Sequence, residues 1–386
     1  MTEPAGSVAS DNNDRFVRFV LTDAGNNIEV PNWSLASEKL GLGDHVPFKI
    51  WKKTLHGGKQ EGSTLVGIEA GELSVLVIPT RGMGIYKATY RGVEFGWESP
   101  VDEIVHPSFV DLTGRGGLGW LEGFNELLVR CGYEWTGHPY RDGDRIFTLH
   151  GRAANTPASL VTVEVERQAP HRIKLTGLLK EKTFAFANLE TLTELVIEPG
   201  TGALHIHDRL TNKLDVTSPY QIIYHTNFGR PVLGEGARIM APVKRVVPLS
   251  ETATKNLANW QRYSGPVSGI AEDLYGLELQ GDSKLRTLVA LVGPDGSNGA
   301  AVRFSLDQLP FFTLWKNTNS YQQGYVTGLE PASNYPHPRK VEEAHGRLQH
   351  LGPGATQAFD VTIQFLADRS DAAKVASEIE GLQAMV

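Results

Sequence analysis

The chain has 386 residues, 40% of them hydrophobic and 21% charged, with a formal net charge of −7. This is ordinary globular composition, long enough for a large core, and its acidic balance argues against nucleic acid or an anionic membrane surface as a partner. No window approaches the ~18 apolar residues of a membrane helix, and the single cysteine, Cys131, leaves no internal disulfide and fits a reducing compartment, so the expected location is cytoplasmic.

Met1–Asp14 is small, polar and acidic, unlike a secretory signal. The reading is a disordered or loosely packed tail over residues 1–30 and a single domain over 31–386, since large all-β folds often run as one domain. Asn32 to Leu42 reads as a short helix capped by Asn32 or Ser34. Phe48–Lys52 is an early strand, and Thr64–Glu69 with Leu73–Ile78 forms a hairpin around Ala70–Gly71. Pro79–Thr80–Arg81–Gly82–Met83–Gly84 looks superficially like a phosphate loop, but it lacks the Gly-Lys-Ser/Thr ending and no helix follows, so a nucleotide site is rejected. Ile85–Tyr90 and Val93–Trp97 pair around Arg91–Gly92, and a long irregular stretch then runs from Glu98 to Trp120. Its aromatic residues argue against disorder.

Glu126–Cys131 returns to a strand and carries Arg130; Phe147–Leu149 leads into His150–Gly151–Arg152 at a strand-to-loop junction. The β signal is clearest in Ser159–Arg167, Arg172–Lys180, Glu190–Ile197 and Ala203–Thr211, with turn residues between the runs. Thr191–Ile197 alternates polar and apolar like a half-buried antiparallel strand, and His205 and His207 fall on one face. Pro219–Tyr224 runs into His225–Thr226–Asn227, whereas Val246 to Gly276 is less regular and reads as an insertion or a helical cover. Leu285–Val292, Ala300–Ser305, Phe311–Trp315 and Phe359–Phe365 are further strands, and Ser370–Leu382 is a helix by its apolar spacing. Tyr325–Glu330 is a strand that Pro331 stops, leaving Glu330 at its last position beside a loop.

Three strand ends thus carry groups able to move protons near neutral pH: His150, His225 and Glu330. Taken singly, each also reads as an ordinary hydrogen-bonded structural residue, and spacing alone does not bring them together. A metal site from His150, His205, His207 and His225 is a rival reading, but no Cys or Asp cluster accompanies these histidines; no metal and no cofactor are expected.

The order Leu-His-Gly, Tyr-His-x-Asn-Phe and Leu-Glu-Pro resembles the galactose mutarotase (aldose 1-epimerase) superfamily. Pro79–Met83, Leu118–Gly119–Trp120, Leu149–Pro157 and the Glu330 segment resemble a branch known only as a domain of unknown function, and the likeness spans roughly Phe48 to Phe365. It implies an all-β, mainly antiparallel β-supersandwich with a short C-terminal helix. It also implies an isomerase, acting without metal or nucleotide, in which Glu330 is the general base, His225 the general acid, and His150 and Arg130 bind the sugar. Ring opening by such a pair calls for a base and an acid several ångströms apart across one sugar ring. Trp120 and Trp315 are candidate stacking platforms, with a buried core tryptophan the plainer reading of each. Asn227, beside His225, is a further candidate ligand. Arg152 stands where the superfamily carries glycine, and Arg81, Arg152 and Arg339 near the motifs suggest an acidic or modified sugar unless they pair with neighbouring carboxylates. Rival functions are another isomerase or lyase on the same scaffold, or a non-catalytic carbohydrate-binding protein. The expected partner is a small carbohydrate, and the expected state a monomer or homodimer.

Overall fold

The computed structural model describes residues 15–384. The expectation for Met1–Asp14 lies outside them. Two antiparallel sheets, one of 10 strands and one of 13, share an apolar core. The first is built on the meander Leu160–Glu166, Ile173–Lys182, Asn188–Ile197 and Ala203–Asn212, to which Thr356–Leu366 adds. Asn188–Ile197 and Ala203–Asn212 bury every second residue, so period-2 patterning dictates which face meets the core. Leu175, Leu195, Ile206 and Ile363 meet Ile50, Ile68 and Val75 of the second sheet in that core. Each such side chain stabilises the fold by roughly 1.5–3 kcal/mol. Helix Arg369–Gln383, capped by Asp368, lays Val375 and Ile379 on the back of the first sheet against Leu288 and Leu366.

Five strands of the second sheet position the site: β1 (Leu128–Tyr133), β2 (Ser218–Phe228), β3 (Asp273–Leu279), β4 (Phe311–Asn317) and β5 (Val326–Ala332). They lie side by side in the order β3-β4-β5-β2-β1. Among the described residues, no helix is long and apolar enough to cross a membrane.

Four local expectations are corrected. Phe16–Asp23, assigned to the tail, pairs with Leu160–Glu166 and buries Val17 and Leu21, because the meander offers an edge to a β-prone segment. Asn32–Ala36 is a strand with Trp33 and Leu35 buried, followed by a short 3-10 turn over Ser37–Leu40; its polar–apolar alternation outweighs the cap signal. Within Val246 to Gly276, strand Val243–Pro248 and β3 flank a one-turn helix, Glu251–Lys255, capped by Ser250, so the cover is only partly helical. Pro331 does not stop β5, which runs to Ala332 between β4 and β2. The Ser333 N–H bonds to Ile222 of β2, so position 331 also turns its nitrogen toward β2. The β2–β5 ladder is open there, between the Ile223–Ala332 and Thr226–Leu329 pairs, so the missing N–H costs nothing.

Candidate active site

Register assembles the site. The pairs Ile223–Ala332 and Thr226–Leu329 place His225 directly opposite Glu330, and the β3–β4, β4–β5 and β2–β1 pairs extend that row. It reads Gly276–Thr313–Glu330–His225–Val129 across five strands, all on the face turned away from the first sheet. His225 Nε2 lies 3.1 Å from Glu330 Oε1. The contact lacks hydrogen-bond alignment, leaving this carboxyl oxygen and the neighbouring Thr313 hydroxyl buried without partners. The pair therefore touches, contrary to the expected separation across a ring. Gly328, two residues back along β5 and on the same face, leaves the space they occupy: a Cβ there would stand 2.4 Å from Glu330 Oε1 and 3.2 Å from His225 Cε1.

Asn227 holds the imidazole. Its Nδ2 donates to the carbonyls of Glu126 and His225 at 3.0 and 3.1 Å, which turns its Oδ1 toward His225 Nδ1 at 2.6 Å. Nδ1 must then carry a hydrogen, and a neutral His225 presents a bare Nε2 to Glu330. Burial pushes His225 down to about 4, against the Asn227 hydrogen bond, which favours the charged form. Burial, reinforced by the nearby charge of Glu272, raises the Glu330 carboxyl well above its ordinary range. Both shifts favour a neutral pair with the proton on the carboxyl.

His150 sits in left-handed backbone at φ 57°, held by hydrogen bonds from its N–H to Gly137 and from the Gly132 N–H to its carbonyl. Its ring lies 5.7 Å from that of His225 and 4.8 Å from that of Trp120. Burial keeps it well below the usual histidine range, and the neighbouring imidazoles of His225 and His138 act in the same direction. A pocket of about 160 Å³ opens over His150, His225 and Glu330, walled by Trp120, Phe124 and Trp315. That is small beside the ~300–1,000 Å³ of drug-sized ligand sites, and suits one small ring. The Trp315 indole donates to Glu272 at 2.7 Å, while the buried Trp120 indole N–H has no partner.

The structure thus brings together His150, His225, Glu330, Trp120 and Trp315. Four further pocket residues, Phe124, His138, Glu272 and Thr313, escaped the sequence reading. Only register reveals Thr313, and Glu272 comes from the irregular segment before β3.

The remaining candidates do not reach the pocket. Arg130 alternates to the inner face of β1, where it is fully buried; it grips Asp208 at 2.6 and 3.2 Å and donates to the Met83 carbonyl. Arg81 is spent on Glu126 at 2.8 Å, the Val105 carbonyl and Asn155. Arg152 is exposed, 5.5 Å over the Trp135 ring and beside Thr183, and Arg339 lies 3.9 Å from Glu134. Asn227 is fully buried behind His225 rather than offered to a ligand. His205 and His207 bond Thr362 and Asp360 on the outer face of the first sheet, so the four histidines considered for a metal do not converge.

The fold of large antiparallel sheets is of the galactose mutarotase-like class. The chain belongs to the family described as Domain of unknown function (DUF4432), whose model matches residues 60–365. It is 47% identical to a protein of Klebsiella pneumoniae subsp. pneumoniae provisionally named an aldose 1-epimerase, over 95% of this chain and 96% of that one, with a TM-score of 0.94. Two more distant structures share the fold. A galactose mutarotase-like protein from Clostridium acetobutylicum is 13% identical, over 82% of this chain and 99% of that one, with a TM-score of 0.53. A galactose mutarotase related enzyme from Lactobacillus acidophilus is 18% identical, over 79% and 98%, also with a TM-score of 0.53. No curated protein matches the sequence.

Proposed function

We propose that this protein interconverts the anomers of a neutral aldose by general acid–base ring opening. The observation that carries the reading is the His225–Glu330 pair, set opposite each other on central strands beneath an aromatic-walled pocket. The names of its structural relatives agree with it. Ring opening takes a proton from the anomeric hydroxyl and gives one to the ring oxygen; closure reverses both transfers, so the enzyme's proton count is unchanged over a cycle. A carboxyl–imidazole pair holding one proton matches that need. Its proton-bearing member protonates the ring oxygen while the other accepts from the anomeric hydroxyl. The family resemblance puts the base on Glu330, whereas burial favours the proton on Glu330 and leaves His225 Nε2 as the acceptor. The sugar parts the touching pair by inserting its oxygens between them. Trp120, Phe124 and Trp315 supply apolar faces for the ring's C–H groups. No arginine lines the pocket and two carboxyl groups do, Glu272 and Glu330, so an acidic sugar is disfavoured.

Saturation-transfer NMR on a panel of free sugars tests this. The wild type should accelerate exchange of a neutral aldose, and Glu330→Gln and His225→Asn should each lower that acceleration by ~10²–10⁴-fold. Failure of the wild type with every sugar refutes the reading; preference for an acidic sugar refutes the assignment to neutral substrates.

A further inference from the structure

On the same face of β3 and β4, a second hollow of about 680 Å³ lies beside the pocket. The two share strands but not residues. Along β4, Thr313 and Trp315 line the pocket, whereas Phe311, two residues earlier, lines the hollow. Along β3, Leu274 lines the pocket and Glu278 the hollow. Between them is Gly276, at the end of the row that holds Thr313, Glu330 and His225. The ring of Tyr335 rests on that glycine: a Cβ there would meet Tyr335 Cε1 at 2.7 Å and its hydroxyl oxygen at 2.9 Å. Tyr335 thus lines the hollow and covers the strand position between the two spaces, on a loop whose next residue, Pro336, lines the pocket.

The loop is firmly held. The Tyr335 N–H donates to the fully buried Glu342 at 3.1 Å, and Arg347 fastens the same carboxylate with bonds of 2.6 and 2.7 Å. The ring is braced edge-on by Phe311 at 5.0 Å and by the Arg347 guanidinium at 5.5 Å. The hollow is lined by aromatic rings and by the edges of two ion pairs, Arg245 with Glu278 and Arg347 with Glu342, a mixture of flat apolar and hydrogen-bonding groups of the kind that sugar rings bind.

We infer that Tyr335 is the wall confining the pocket to a single sugar ring, and that the hollow behind it is a latent site for a second ring. The inference rests on the anomer-exchange reading and sets its substrate size: free monosaccharides rather than reducing disaccharides. Removing the ring joins the two spaces. Since the loop is tied through the backbone N–H of residue 335, truncation of the side chain leaves that tie in place.

The test compares exchange of free hexoses with that of reducing disaccharides, with calorimetric binding of the same sugars, for the wild type, Tyr335→Ala, Tyr335→Phe and Gly276→Ala. The wild type should prefer hexoses. Tyr335→Ala should shift the disaccharide-to-hexose ratio by about tenfold or more toward disaccharides, a size normal for relief of a steric limit in a pocket. Tyr335→Phe should behave as wild type. Gly276→Ala, whose methyl displaces the ring, should shift the ratio in the same direction as Tyr335→Ala. A ratio unchanged in Tyr335→Ala, or a wild type that handles disaccharides as well as hexoses, overturns the wall and leaves the mutarotase reading standing. If no sugar exchanges, the mutarotase reading falls and the calorimetric ratio alone judges the wall; absence of sugar binding overturns both.

Discussion

The protonation state of the His225–Glu330 pair can be measured without any substrate. With His225 neutral in the folded protein down to about pH 4, and an ordinary value of ~6.5 in the unfolded chain, the unfolded state gains a proton first as pH falls. The stability associated with this histidine is therefore complete above pH 6.5 and is lost progressively between 6.5 and 4. Integrating the proton uptake from pH 7.5 to 5 gives about 2 kcal/mol lost from this residue alone. His225→Asn removes the term. His150, whose burial acts in the same direction, and Glu330, whose raised value acts in the opposite one, are present in both proteins, so the burial that is the largest cause of each shift cancels in the comparison. Urea unfolding followed by tryptophan fluorescence at the two pH values should show the wild type losing about 2 kcal/mol more than the variant over that interval. An equal loss, or a smaller one in the wild type, would refute the reasoning. Such a result means that His225 is protonated in the folded state, as the cation of an ion pair with Glu330.

Three further outcomes follow from the same geometry. Glu330→Gln should cut anomer exchange by ~10²–10⁴-fold, the usual contribution of a general acid or base; its thermal midpoint at neutral pH should not fall, since an amide replaces a buried ionisable group, and scanning calorimetry checks this. Arg130→Met should cost ~3–5 kcal/mol in urea unfolding by leaving Asp208 buried with only Tyr224 for a partner, while KM for the sugar stays unchanged in the folded fraction; a raised KM without loss of stability would return Arg130 to the binding site. Arg152→Ala should leave exchange and its pH profile as in the wild type, because the residue is exposed and outside the pocket.

Legibility in the sequence followed period and punctuation. The meander strands were readable because alternation over Asn188–Ile197 has one solution on a half-buried sheet. Asn32–Ala36 was misread because a cap-like residue before a mixed run looks the same in a strand and a helix until a partner strand is supplied. Pro331 was misread because a proline is excluded from a central ladder only where its nitrogen should donate, and only the open register beside His225 shows that it need not. At the site, His150, His225 and Glu330 were visible through family motifs, but the contact between His225 and Glu330 was not, since it depends on a register between strands about a hundred residues apart. The arginines misled for a simpler reason: a motif names a residue type without saying which face of the strand it occupies.

Those faces also explain what the motif around Arg81 contributes. Arg81 fixes the Glu126 carboxylate at 2.8 Å, and its guanidinium leaves no room for a side chain at Gly123, where a Cβ would stand 2.4 Å from Nη1. Glu126 accepts the Asn125 N–H with its other carboxylate oxygen, so the segment entering β1 is tied at both ends of one side chain. The Glu126 carbonyl, oriented by that tie, receives the Asn227 amide at 3.0 Å, and Asn227 in turn sets the tautomer of His225. A run of buried bonds therefore leads from the glycine-rich passage at Arg81 to the imidazole, and each step fixes the orientation of the next. The arginine acts on a sugar, on this account, only through the histidine it helps to aim: Arg81→Met should reduce turnover and loosen the fold together, a coupling that a direct sugar ligand would not produce.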